Sequence, residues 1–147
     1  MEAKIVSKLG DMPMIIANGT IVVVVDGAHL RLFRNHGHEP EIRLVPELVP
    51  KLGVSNVGSG GRHRSSTANP DRSRLHEDDF AAAVAEYLNE SALAGRIERL
   101  VIIADPRTLG EMRRHFHSAL SQRLVGQIEK NLAGFPLAGI QDTLQAA

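Results

Sequence analysis

Five β-branched residues stand in an unbroken row from Ile21 to Val25. A half-exposed strand alternates apolar and polar side chains, whereas an unbroken apolar run is typical of a strand covered on both faces. We therefore expect a central strand here, with the core built around it. A second run of the same kind, Leu100–Ala104, predicts a second buried strand.

A β-hairpin is predicted directly after the first run. Asp26-Gly27 is a turn signal, and the residues from Leu30 onward alternate apolar and basic side chains. Leu30 and Leu32 are expected on one face of the second strand and Arg31 on the other.

The rest of the chain predicts an edge strand, a long loop, and helices that alternate with strands. Asp105-Pro106 supplies an N-cap and a first helical residue after the second buried strand. Before it, we predict an edge strand over Ile42–Val49 that contains Pro46, and a loop over Gly53–Leu75. The loop leads to a helix with Glu77, Asp78 and Asp79 in its first turn and with Phe80, Val84, Tyr87 and Leu88 on its apolar stripe. After Pro106 we predict a helix carrying Leu109, Met112, Phe116 and Leu120, a strand over Leu124–Leu132, and a terminal helix from Pro136 with Leu137, Ile140 and Leu144.

This order places the antiparallel hairpin first and the β-α-β crossovers second. It predicts an α/β fold with a mixed five-stranded sheet and helices packed on it. Residues 21–147 are expected to form a single domain, and residues 1–20 an unassigned N-terminal extension that forms either an extra strand or a tail.

Composition limits the possible functions. The 17 basic and 17 acidic residues balance, so any attraction to nucleic acid must be local. The chain has no cysteine, which excludes disulfides and thiol chemistry. No apolar stretch reaches the roughly 20 residues of a membrane span, and we see no secretory signal. We expect a cytoplasmic protein that does not bind membranes.

Motifs for common enzyme classes are missing. The Gly58–Arg62 segment lacks the Lys-Ser/Thr pair of a phosphate-binding loop. His115 and His117 are two apart on a predicted helix, so they point to different faces and cannot share an ion. His36 and His38 have no carboxylate cluster to complete a shell. We predict no metal site, no cofactor and no assignable catalytic residue.

The long loop holds the strongest candidate binding site. It contains four arginines and one acid, so its local charge is positive and suits contacts to phosphate groups. Its glycines let the backbone approach a ligand closely. The alternative is a solvated loop kept soluble by its charges. Our candidate binding residues are Gly60, Gly61, Arg62, His63, Arg64, Arg72 and Arg74, together with Asp26 and Arg31 of the hairpin.

Two acids, Asp26 and Asp105, each end a predicted buried strand. Ligands of α/β sheets tend to bind where such strands end. Both acids also have local explanations, because Asp26 opens a turn and Asp105 caps a helix. Binding and structural roles therefore both stay open for them.

Two blocks of sequence resemble a known bacterial family. Val22–Asn35 is similar to the opening signature of the "protein required for attachment to host cells" family, and Leu100–Arg113 resembles its second block. The resemblance extends from about Ile21 to the C-terminus.

That family is similar in turn to the middle domain of archaeal and eukaryotic class-one peptide-chain release factors. The resemblance implies a ribonuclease H-like sheet and a role near the translation machinery. In those factors a Gly-Gly-Gln tip lies on a long loop before a helix, where this chain has Gly60-Gly61-Arg62. An arginine cannot offer the glutamine amide to a catalytic water, which argues against peptidyl-tRNA hydrolysis by that mechanism.

The leading hypothesis is a non-catalytic domain that binds RNA or the ribosome through the Arg62–Arg74 loop and acts only indirectly on host attachment. One alternative is a hydrolase that uses Asp26, Asp105 and His29 around a divalent ion. Another is a protein interaction module that forms a homo-oligomer.

Overall fold

The computed structural model describes residues 4–7, 16–50, 52 and 70–146. Within these residues, six strands form one mixed sheet in the order β1-β6-β5-β2-β3-β4. The strands are β1 (Lys4–Ser7), β2 (Ile21–Val25), β3 (Leu30–Asn35), β4 (Leu44–Glu47), β5 (Leu100–Ala104) and β6 (Leu124–Glu129). The helices are α1 (Pro70–Leu93), α2 (Pro106–Arg113), α3 (Ser118–Ser121) and α4 (Leu137–Ala146).

The two apolar runs form the centre of the sheet, as predicted. Every residue of β2 and β5 is buried, and the two strands pair in parallel. Strand β3 pairs antiparallel with β2, which confirms the hairpin, and β4 lies at an edge, as Pro46 predicts. The mixed α/β sheet is thus confirmed.

The sheet contains one strand more than the predicted five. Strand β1 comes from the N-terminal extension, for which an extra strand is one of the two expectations, and it pairs antiparallel with β6. Four residues are too few to display a strand period in sequence. The division of the chain at residue 20 stays a prediction.

Helices cover both faces of the sheet. Strand residues alternate between the faces, so Val23 and Ile102 pack against α1, α2 and α3, while Val24 and Ile103 pack against α4. Complete burial of each of these side chains stabilises the fold by roughly 1.5–3 kcal/mol.

Helix α1 begins earlier than predicted. It starts at Pro70, a residue that suits a first turn, so the predicted loop does not extend to Leu75. Arg72 and Arg74 consequently belong to the helix, which corrects their assignment to the loop. The acids from Glu77 onward lie beyond the first turn, so their predicted role at the helix start is wrong. Pro70–Leu75 contains one large apolar residue, too few for a helical stripe to be recognised.

The predicted helix after Pro106 is divided in two. Leu109, Met112 and Leu120 are buried as expected, but the chain leaves the helix between Arg113 and Ser118. The Asn89 side chain stabilises this break: its Nδ2 donates to the His115 carbonyl at 2.8 Å, and its Oδ1 accepts from the His117 amide at 2.9 Å.

The last strand is shorter than predicted, and the terminal helix is confirmed. Strand β6 ends at Glu129, and Leu132 is buried in the loop that follows. Ile140 and Leu144 of α4 are buried against the sheet.

A buried amide ties the segment before β2 to the segment after β3. Asn35 is 1% exposed, and its Nδ2 donates to the carbonyls of Ile16 and Ala17 at 3.0 and 3.2 Å. Its Oδ1 accepts from the amides of Gly37 and Arg43, both at 2.9 Å. One side chain therefore satisfies four backbone groups.

We expect Asn35→Ala to lower the free energy of unfolding by about 2–4 kcal/mol, because it leaves buried backbone groups without partners. Urea denaturation measures this loss. The control is Asn131→Ala, which removes an exposed side chain with a single 3.4 Å hydrogen bond and should cost less than about 0.5 kcal/mol. Equal losses in the two variants would contradict the assignment.

Candidate functional site

The carboxyl ends of β2 and β5 meet at one edge of the sheet. Val25 pairs in register with Ala104, so Asp26 and Asp105 follow neighbouring strands. From this point the chain connects β2 to β3 on one side of the pair and β5 to β6 on the other side. Ligands bind preferentially at such switch points. We call this region the carboxyl edge.

Asp26 organises the turn between β2 and β3. Its Oδ1 accepts from the amides of Ala28 and His29 at 2.8 and 2.6 Å, and the His29 Nδ1 lies 3.1 Å from the same oxygen. Partial burial raises the pKa of Asp26, but these amides and the imidazole together outweigh it and hold the pKa below its ordinary value of 3.8. Because an ionised carboxylate only accepts, the His29 Nδ1 carries the proton toward Asp26.

Asp105 caps helix α2. Its carboxylate accepts from the Thr108 amide at 3.2 Å, and Pro106 takes the first helical position. Asp26 and Asp105 thus each bind backbone amides. In the described part of the chain, no group of three histidine or acidic side chains could hold a metal ion.

Two acids of α1 link this helix to α2. Arg107 Nη2 donates to Asp78 Oδ1 at 3.0 Å, and its Nη1 lies 3.6 Å from Glu77 Oε1. Glu77 also lies directly over the hairpin turn, since a Cβ at Gly27 would be 2.8 Å from the Glu77 Cγ. A glycine at position 27 permits this close approach of α1 to the turn.

A cavity of about 610 Å³ opens beside the same turn. The hairpin from Gly27 to Arg31 forms one wall, and the segment after β4, with Val49, Pro50 and Leu52, forms another. His76 and Phe80 of α1 close a third side. Its volume lies in the range of pockets that bind small organic ligands, roughly 300–1,000 Å³. We call it the edge cavity.

Arg31 lies in the wall of the edge cavity and stabilises the segment before α4. Its Nη1 donates to the carbonyls of Ala133 and Phe135 at 3.2 and 2.6 Å, and the guanidinium lies 5.0 Å from the centre of the Phe33 ring. Neither its Nε nor its Nη2 donates to another described residue within hydrogen-bonding distance. The guanidinium is thus held in place with donors left for a ligand.

The other candidate residues divide into two groups. Arg72 and Arg74 lie in the first two turns of α1. The candidates from Gly60 to Arg64 lie outside the described residues.

Several residues of the edge cavity could not be identified from the sequence. Val49 is predicted to end an edge strand and Phe80 to lie on a helical stripe, whereas the sequence predicts no role for Pro50 or His76. Only the fold brings them together, and no local motif could have indicated it.

A family model now identifies the relatives of this chain. The model described as "Bacterial archaeo-eukaryotic release factor family 12" matches residues 19–144. The chain belongs to this family. The match confirms the predicted relationship to the release factors, whereas the host-attachment name stays a prediction.

No curated protein matches the sequence. The matched region extends from just before β2 to Leu144 in the last turn of α4, and so includes the described residues of the edge cavity. No helix in the described segments is long and apolar enough to span a membrane.

The lowered pKa of Asp26 predicts a pH dependence of stability. A carboxyl whose pKa is lower in the folded state contributes stability above its unfolded pKa, about 4, and loses it as the pH falls through the folded pKa. We expect the unfolding free energy of the native chain to decrease more between pH 5 and pH 2.5 than that of Asp26→Asn.

Urea denaturation at several pH values measures this difference. The control Asp142→Asn changes an exposed carboxylate on α4 and should keep the native profile. Parallel profiles for the native chain and Asp26→Asn would show that the turn does not favour the charged carboxylate.

Proposed function

We propose that this protein is a cytoplasmic, non-catalytic RNA- or ribosome-binding domain of translation-machinery type, with a ribonuclease H-like sheet. The observation that carries the proposal is the match of 126 of its 147 residues, 19–144, to a release factor family. An effect on attachment to host cells would then be indirect.

The described geometry supports a contact surface at the carboxyl edge. The segment that carries Arg62 and Arg64 leaves the described chain beside Leu52, a residue of the edge cavity, and rejoins it where α1 begins at Pro70. Helix α1 then contributes His76 and Phe80 to the same cavity. In sequence, Arg62 and Arg64 therefore lie between two segments that line the cavity.

The resemblance places Gly60-Gly61-Arg62 of this chain where the release factor tip has Gly-Gly-Gln. A guanidinium only donates hydrogen bonds and stays charged, so it suits a phosphate contact better than the positioning of a hydrolytic water. This favours binding over peptidyl-tRNA hydrolysis.

Ribosome co-sedimentation at increasing salt tests the proposal. We expect the native chain to sediment with ribosomes at low salt and Arg62→Ala/Arg64→Ala to be released at lower salt. The loss of two phosphate contacts should reduce the slope of log affinity against log salt by about 1.5.

A second double variant controls for the loss of charge. Arg99 precedes β5 at the opposite end of the sheet, and Arg114 follows the end of α2. Arg99→Ala/Arg114→Ala removes the same charge and should keep the native salt profile. Equal release of the two double variants, or no sedimentation of the native chain, would contradict the proposal.

A hydrolase is the second candidate, and the contact of Asp26 with His29 at 3.1 Å favours it. A hydrolase should turn over phosphodiester substrates with added divalent ions and lose this turnover in Asp26→Asn. No turnover, with a thermal stability that metal ions do not change, would count against it.

Self-association is a third candidate because the edge strand β4 and the residues after it expose apolar side chains. Val45, Leu48 and Val49 are 37%, 95% and 44% exposed. Light scattering over a range of concentrations would reveal a homo-oligomer, and a constant monomer mass would exclude it.

A further inference from the structure

Four planar side chains converge on the edge cavity. His29 and Arg31 come from the hairpin, and His76 and Phe80 from α1. The whole chain has no tryptophan, one tyrosine and four phenylalanines. Aromatic rings other than histidine are therefore scarce in this protein, and the cavity combines one of them, Phe80, with two of the seven histidines and an arginine beside apolar walls formed by Leu30, Pro50 and Leu52.

We propose that the edge cavity binds a purine nucleobase, either of a free nucleotide or of an unstacked nucleotide in RNA. Proteins that recognise unpaired bases stack them on Phe, Tyr, Trp or His rings or on an Arg guanidinium, and bond their polar edges. The cavity contains a phenylalanine ring, two histidine rings and the Arg31 guanidinium. Where RNA is the source, this inference rests on the proposed function.

The polar groups of the cavity suit the edge of a base. The His29 Nδ1 donates to Asp26, so the ring is oriented and its Nε2 is available to a ligand. Arg31 is held by the carbonyls of Ala133 and Phe135 through Nη1, which leaves donors for a ring nitrogen or exocyclic oxygen. A purine presents such acceptors beside its flat apolar face.

Other ligand chemistries fit this cavity less well. Asp26 and Glu77 lie beside its hairpin wall, so a free phosphate would meet carboxylates as well as cations. A purely apolar ligand would bury the imidazole and guanidinium groups without partners. A flat ligand with a polar edge satisfies the apolar walls and the polar groups together.

Fluorescence of 2-aminopurine, which decreases when the base stacks, tests the proposal on the full chain. The chain has no tryptophan, so its own emission does not interfere. One arm uses the 2-aminopurine ribonucleoside monophosphate. The other uses a single-stranded eight-nucleotide RNA with one 2-aminopurine flanked by uridines, which stack on it only weakly, so that quenching reports stacking on the protein.

Two variants report on the cavity, and a third serves as control. Phe80→Leu removes a ring, and His76→Ala changes an exposed residue that should not affect folding. Each should weaken binding about tenfold, as expected for the loss of one stacking partner. The control Phe116→Leu makes the same change at another partly buried phenylalanine packed on the same core, and should leave binding unchanged.

Quenching in the monophosphate arm that both cavity variants weaken supports a free nucleotide as ligand. Quenching in the RNA arm alone, with the same sensitivity, supports a base within RNA. No quenching in either arm, or quenching that Phe80→Leu and His76→Ala leave unchanged, would overturn the inference.

The inference and the proposed function can fail separately. Ribosome co-sedimentation without quenching would retain the proposed function and reject the base site. Quenching in the monophosphate arm without co-sedimentation would retain the base site, with a free nucleotide as its ligand.

Discussion

The parallel pairing of β2 with β5 is the constraint on which the rest of this structure depends. Both strands are fully buried, so helices must cover both faces of the sheet. The register from Ile21 opposite Leu100 to Val25 opposite Ala104 makes both strands end at one level. The chain then needs a tight turn after β2 and a helix start after β5, and Asp26 and Asp105 stabilise these two features with hydrogen bonds to backbone amides.

At the carboxyl edge, the acidic side chains have structural roles, and other side chains line the edge cavity. Its acids accept hydrogen bonds from backbone amides or from Arg107, whereas His76, Phe80 and Arg31 line the edge cavity. The glycine at position 27 contributes by letting α1, through Glu77, approach the turn. The candidate site is therefore a consequence of how the central strands end, and the same acids that suggest a hydrolase in sequence are the ones that the backbone uses.

The strands could be predicted well because their signals are local. Five consecutive apolar residues indicate β2 and β5, and Asp105-Pro106 indicates the start of α2. The start of α1 could not be predicted, since its first turns are polar and have no stripe. The break before α3 depends on Asn89, which is 26 residues from His115 in sequence. The edge cavity depends on four separate segments, from Gly27 to Ala133, so only their arrangement in space reveals it.

We propose that the carboxyl edge is the face that meets RNA. Site-specific photocrosslinking to ribosomes tests it with two exposed apolar positions. Val49 lies in the wall of the edge cavity, and Leu93 ends α1, about 20 Å along the helix from Phe80. The account predicts that a photoreactive residue at position 49 crosslinks to ribosomal RNA and that one at position 93 does not. Crosslinks from position 93 alone, or equally from both, would contradict it.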